Sequence, residues 1–182
     1  MKSVLISIRP KWCEKIASGD KTIEVRKTRP KLELPFRCYI YCTKDAGDPD
    51  RLWVLNKQLR QEYNGLLAVC ANLDECPERH FAGNGKVIGE FTCDRIDKII
   101  PSGEPYGIYD IGDDYVRQTC LENGALWDYG RGAALYGWHI SGLKIYDKPR
   151  KLSEFTGAQL TKDGFEPWLL DRAPQSWRYV VG

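Results

Sequence analysis

Within eight positions, Gly19-Asp20-Lys21-Thr22-Ile23-Glu24-Val25-Arg26, the sequence sets an ammonium, a carboxylate and a guanidinium side by side. Arg9 and Trp12 stand just upstream, in Ile8-Arg9-Pro10-Lys11-Trp12. Opposite charges beside an aromatic plate suit a flat polar ligand, because the ring supplies stacking area while the ions hold a polar edge or a phosphate. The same groups could support hydrolysis, with Glu24 as the base that activates water and Lys21 polarising a carbonyl. The plainer alternative is an ion pair on a half-exposed strand, worth at most about 1 kcal/mol.

Two elements must position these groups. Pro10 suits the first turn of a helix, where its missing N–H costs nothing, and Gly19 suits the left-handed position just past a helix end. Between them Trp12, Cys13, Ile16 and Ala17 recur at helical spacing and form an apolar face, leaving Lys11, Glu14, Lys15 and Ser18 to water. Beyond Gly19 the period changes to two. Ile23 and Val25 then point into a core, Thr22, Glu24 and Arg26 share the other face, and Lys21 stands at the mouth of the strand.

The string Gly19-x-Lys21-x-x-Glu24-x-Arg26, preceded by Ser7-Ile8-Arg9-Pro10-Lys11-Trp12, resembles the signature of ASCH-domain proteins, which share the PUA-like β-barrel. Tyr136-Gly137-Trp138-His139-Ile140-Ser141, Leu143-Lys144-Ile145-Tyr146 and Pro174-Gln175-Ser176-Trp177 resemble a longer bacterial and phage-borne branch of that superfamily. The likeness is weakest between Pro49 and Gly85. It implies an α+β class, a PUA-like mixed β-barrel with flanking short helices, and one domain over residues 1–182. It also implies a cleft for RNA, a nucleotide or a modified nucleoside at Arg9, Trp12, Lys21, Glu24 and Arg26.

A second expectation follows from the same likeness. Small bacterial ASCH proteins include amidohydrolases that deacylate N4-acetylcytidine with a Lys, a Thr and a Glu, the first two in a Gly-x-Lys-Thr-x-Thr-x-Arg motif. Lys21 matches the lysine, but Glu24 stands where the nucleophilic threonine would be, and Thr22 is not at the catalytic position. Glu122 is the one candidate for the acid. A hydrolase would therefore work with Lys21 and Glu24 in a rearranged site. A third reading, a protein-interaction module, would call for a large exposed apolar patch.

Composition bounds the rest. A chain of 182 residues can bury a full core without disulfides or metal, and 42% apolar with 29% charged residues is ordinary for a folded domain. No apolar run is long enough to span a bilayer and the start has no secretory h-region, so a soluble, cytoplasmic protein with no membrane partner is expected. The net charge of +2 is small, but residues 1–31 hold nine Lys/Arg against three acids, which concentrates +6 there and leaves −4 for the remainder. A local basic surface of that kind gathers phosphates in a salt-dependent way. Seven scattered cysteines with no secretory signal read as reduced thiols. Cys70, Cys76 and His80, joined by Cys42 or Cys93 if the fold brings one in, are the one metal-like grouping, and their spacing fits no standard zinc pattern. No cofactor is expected.

Further strands are expected over 3–8, 22–27 and 37–43, then a helix over 51–61 behind Asp48-Pro49-Asp50. A strand over 87–93 continues through 95–100 to Pro101. A helix over 113–123 precedes a short turn bearing Leu126, Trp127 and Tyr129. One strand over 136–146 would change phase at a bulge near Gly142, and 177–181 would be the closing strand. No pattern selects an element over 63–85. His139 reads as a structural hydrogen-bonding histidine, and Trp138 and Trp177 as core.

Overall fold

The computed structural model describes residues 2–44, 83–102, 108–162 and 164–181. The expected helix over 51–61 and the Cys70, Cys76 and His80 grouping lie outside the described residues. The first strand, β1 (Lys2–Ile8), is followed by α1 (Pro10–Ala17), β2 (Ile23–Arg26) and β3 (Phe36–Cys42). Next come β4 (Lys86–Cys93), β5 (Ile96–Ile99) and the short pair β6 (Pro101–Ser102) and β7 (Ile108–Tyr109). The helices α2 (Asp113–Thr119) and α3 (Asn123–Gly130) precede β8 (Leu135–His139), β9 (Ser141–Arg150), β10 (Thr156–Thr161), β11 (Gly164–Leu169) and β12 (Trp177–Val181).

β1 reads as a nearly unbroken apolar run because both of its faces are covered. Val4, Ile6 and Ile8 enter one core while Leu5 enters another. It lies inside a seven-stranded sheet ordered β11-β10-β12-β1-β3-β4-β9, parallel to β3 and antiparallel to β12. β12 is thus the expected closing strand. A second sheet, β2-β8-β5, lays Trp138 into the same core as Phe36, Ile40 and Phe91. The class is α+β with a mixed sheet, as expected. Among the described residues the hydrogen-bonded ladder does not run continuously around a barrel: the two sheets share a core and pass strands from one to the other.

That passage accounts for two departures from the sequence reading. The strand expected over 87–100 breaks at Asp94-Arg95, so that β4 stays in the large sheet and β5 joins the small one. The strand expected over 136–146 breaks at Ile140 in the same manner, leaving β8 and β9 in different sheets. Gly142 has a φ of +54°, which lets the chain turn while Ile140, Leu143 and Ile145 still pack on the core beside Trp138. His139 N donates to Arg95 O at 3.0 Å and stitches the two corners together. Pro149 is tolerated within β9 because that strand is the sheet edge.

The helix expected over 113–123 also stops early. Cys120 adopts a left-handed conformation with φ of 53° and closes α2 at Thr119; α3 then starts afresh and carries Leu126, Trp127 and Tyr129. The β10–β11 hairpin was not legible in the sequence. Its strands are weakly apolar, and Gly157 is needed there to let Trp168 lie against the backbone. Among the described residues no helix is long and apolar enough to cross a membrane.

Candidate binding cleft

α1 forms as its spacing predicts. Pro10 opens it, Cys13 and Ile16 are fully buried, and Gly19 takes φ of +82° beyond the last turn. Lys21 N then bonds Lys15 O at 2.9 Å, which fixes the loop that aims the Lys21 side chain inward. β2 alternates as expected, with Ile23 and Val25 on one face and Glu24 and Arg26 on the other. The other face is not solvent, however. Glu24 lies opposite Trp138 and Arg26 opposite Tyr136, so these side chains point between the two sheets.

The consequence is a buried ionic triad. Lys21, Glu24 and Arg26 keep only 2%, 6% and 8% of their surface exposed, which sets aside the exposed-strand ion pair. Arg26 Nη2 forms an ion pair with Glu24 Oε1 at 3.0 Å and donates a hydrogen bond to Ser7 O at 2.6 Å. Lys21 Nζ lies 3.4 Å from Glu24 Oε2 and donates to Thr119 O at 2.6 Å. Thr119 O is free to accept because α2 ends there, and the negative end of a helix favours an ammonium. Glu24 Oε2 has no hydrogen bond of its own.

Above the triad lies a cleft of about 470 Å³. Trp12 forms one wall, with Lys21 Nζ 5.3 Å from its ring centroid, and Tyr129 from α3 forms another. Arg9 stands at the rim. Burial raises the Tyr129 phenol above its ordinary value; the Arg26 charge opposes this and the Glu24 charge adds to it, so the hydroxyl stays protonated. Gln175 and Ser176 close the far side, tethered by Ser7 N to Ser176 O at 2.8 Å and Ser7 Oγ to Pro174 O at 2.6 Å.

All five site residues expected from the sequence, Arg9, Trp12, Lys21, Glu24 and Arg26, line this one cleft. The Ser7 and Thr119 carbonyls were missed, since a backbone acceptor leaves no mark on residue type. Tyr129 was visible only as an aromatic in a short turn. Glu122 is exposed just ahead of α3 and does not line the cleft, which removes it as a partner for Lys21. Cys42 and Cys93 are both buried, and burial pushes the Cys93 thiol up to about 12. Among the described residues no three His, Cys, Asp or Glu side chains gather closely enough to hold a metal ion.

His139 leaves the opposite face of β8 from Trp138 and joins a separate cluster. Its Nε2 lies 2.6 Å from Asp97 Oδ2 and 3.1 Å from Arg95 Nε. One ring nitrogen cannot donate to the carboxylate and also accept from the guanidinium, and the shorter contact makes it the donor. Arg95 instead grips Asp97 with Nε and Nη2, both at 3.2 Å. Burial alone would raise the Asp97 carboxyl, but the His139 and Arg95 contacts outweigh it and hold the group below its ordinary value. A lowered folded-state value means that the cluster stabilises the fold above the ordinary aspartate range and stops doing so as the pH falls below it. In urea titrations the stability difference between the protein and Asp97→Asn should therefore be present at neutral pH and be lost as the pH falls below the ordinary aspartate range. A difference that persists at the acid end would show that the carboxylate charge is not what the cluster uses.

Comparison with solved structures places this architecture. The crystal structure of ASCH from Zymomonas mobilis aligns over 97% of this chain and 86% of its own, at 19% identity and a TM-score of 0.55. A mutant of that protein aligns over 98% and 90%, at 17% identity and a TM-score of 0.47. No family model matches the sequence, and no curated protein matches it.

Proposed function

We propose that this protein, whose fold is that of an ASCH domain, binds RNA, a nucleotide or a modified base in the cleft over Lys21, Glu24 and Arg26. The observation that carries the reading is a buried triad with one surplus positive charge, walled by Trp12 and Tyr129. Ions taken out of water are costly, and an apolar set of similar volume often serves stability better, so such a group is better explained by ligand recognition. A flat ring against Trp12 would gain about 1–3 kcal/mol from stacking, and a phosphate would neutralise the surplus charge with Arg9 at the rim.

Amidohydrolysis of a modified nucleoside is the second reading, favoured by the Glu24 oxygen that faces Lys21 without a hydrogen bond. Glu24 would take a proton from the water that attacks the acyl carbon, Lys21 would hold the carbonyl oxygen, and the departing cytidine amine would receive the proton. One experiment separates the two. The protein, Trp12→Ala and Lys21→Ala are titrated calorimetrically with uridine monophosphate and incubated with N4-acetylcytidine under chromatography with mass detection. Binding without turnover, weakened about 5- to 100-fold in Trp12→Ala, is the expected result. Lys21-dependent release of cytidine would put the hydrolase first, and no binding of either compound would end both readings.

A further inference from the structure

We propose that Tyr115 is a positioning residue of the cleft: seated on Gly137, it fixes where α2 ends and thereby sets the Thr119 carbonyl that holds Lys21 beside Glu24. This positioning serves the cleft of the binding reading, but the geometry that carries it holds for any ligand. β2 is the edge of the small sheet, and the last turn of α2 takes the place of a further strand beside it. Thr22 O accepts from Ile140 N at 2.9 Å on the β8 side, and Thr22 N donates to Gln118 O at 2.9 Å on the other. One residue on, Thr119 O takes Lys21 Nζ at 2.6 Å, shorter than the 3.4 Å between that nitrogen and Glu24 Oε2. Lys21 is thus aimed by the place at which α2 stops, and a shift of that helix by about 1 Å is enough to break the bond.

α2 does not set its own place. It has seven residues and no side-chain cap, and so short a helix holds only through what it packs against. Asp113, Asp114 and Arg117 are exposed, whereas Tyr115 packs on the core of Val25, Ile99, Leu126 and Leu135. Tyr115 and Thr119 are four apart and share a helix face, so the seat of the first fixes the second. That seat is made by a missing side chain. Gly137 stands between Val25 and Asp97 across the small sheet, and a Cβ there would collide with the Tyr115 hydroxyl and lie 3.0 Å from ring carbon Cζ. The His139 ring, 6.5 Å from that of Tyr115 and at 74° to it, bounds the seat edge-on. The hydroxyl is buried with no hydrogen-bond partner among the described residues, so shape, not a hydrogen bond, locates the ring. Phenylalanine would fill the seat as well, and alanine would empty it.

Trace acetylation of the folded full chain with acetic anhydride, mapped by mass spectrometry, reads how freely Lys21 reacts relative to the exposed Lys98. Tyr115→Ala should raise the relative rate at Lys21 about tenfold or more, as the loss of one hydrogen bond from a charged group requires, and Tyr115→Phe should leave it within about twofold of the wild type. Gly137→Ala should raise it similarly. Gly137→Ala/Tyr115→Phe, which removes the colliding hydroxyl, should reverse most of that rise. Val180→Ala, in the separate core on the other face of the large sheet, controls for loosening of the whole molecule. Unchanged Lys21 reactivity in Tyr115→Ala, equal rises in Tyr115→Ala and Tyr115→Phe, or a rise in Val180→Ala as large as theirs would overturn the proposal. If circular dichroism shows Gly137→Ala unfolded, the two Tyr115 variants decide. The readout needs no ligand, so a protein that binds no nucleotide yet shows the expected order loses the binding reading and keeps the positioning of Lys21.

Discussion

Replacing Glu24 with Leu should lower the free energy of unfolding by about 3–5 kcal/mol, the loss expected when one partner of a buried ion pair is removed. The carboxylate lies between two cations that are themselves almost wholly buried. Without it, Lys21 retains Thr119 O and Arg26 retains Ser7 O, and the two positive charges face each other with little of their surface exposed. Glu24→Gln should cost less, because an amide oxygen can still accept from Arg26 and the shape is kept. Urea denaturation of the three proteins checks the order. A loss below about 1 kcal/mol in both variants would return the triad to the class of screened surface pairs and remove its claim on the cleft.

Much of the cleft was legible because its signals are local. Pro10 and Gly19 bound α1, the period-two pattern fixes which β2 residues share a face, and the five candidate side chains do converge. What the pattern could not say was what covers that face. Alternation gives two sides to a strand, and whether the polar side meets water or a second sheet depends on contacts with β8 and β1, more than a hundred residues away in one case. The carbonyls of Ser7 and Thr119 were hidden for the same reason, since their availability depends on where a strand bends and where a helix stops.

The sheet corners were illegible for a different reason. On either side of Asp94-Arg95 and of Ile140 the residues keep strand character, so propensity runs through the break and predicts one long strand where the chain makes two. Only the shared core explains the switch. Leaving the large sheet at these points lets β5 and β8 fold over it and bring Trp138 inside. The corners therefore build the cleft, because β2 has a partner to bury its ions against only after β8 has left the large sheet.

This gives Trp138 the second large effect. Its side chain is fully buried, 5.9 Å from Phe36 at an interplanar angle of 85° and 5.9 Å from Trp177, and it stands between Glu24 and Ile96 across the small sheet. Trp138→Ala should cost about 3–5 kcal/mol, because neither sheet can move far enough to fill the space. Trp138→Phe should cost clearly less. It keeps an aromatic ring against Phe36, and it removes an indole N–H that has no hydrogen-bond partner, whose burial costs about 1–3 kcal/mol. Urea midpoints for the two variants, read with uridine monophosphate titrations, connect the packing to the site. If Trp138 holds Glu24 in register, the alanine variant should lose ligand affinity under conditions in which it is still folded, and the phenylalanine variant should keep most of it. Equal losses of stability in the two variants would mean that the orphan N–H carries no cost, and intact affinity in a folded Trp138→Ala would mean that Lys21 and Arg26 alone hold the carboxylate in place.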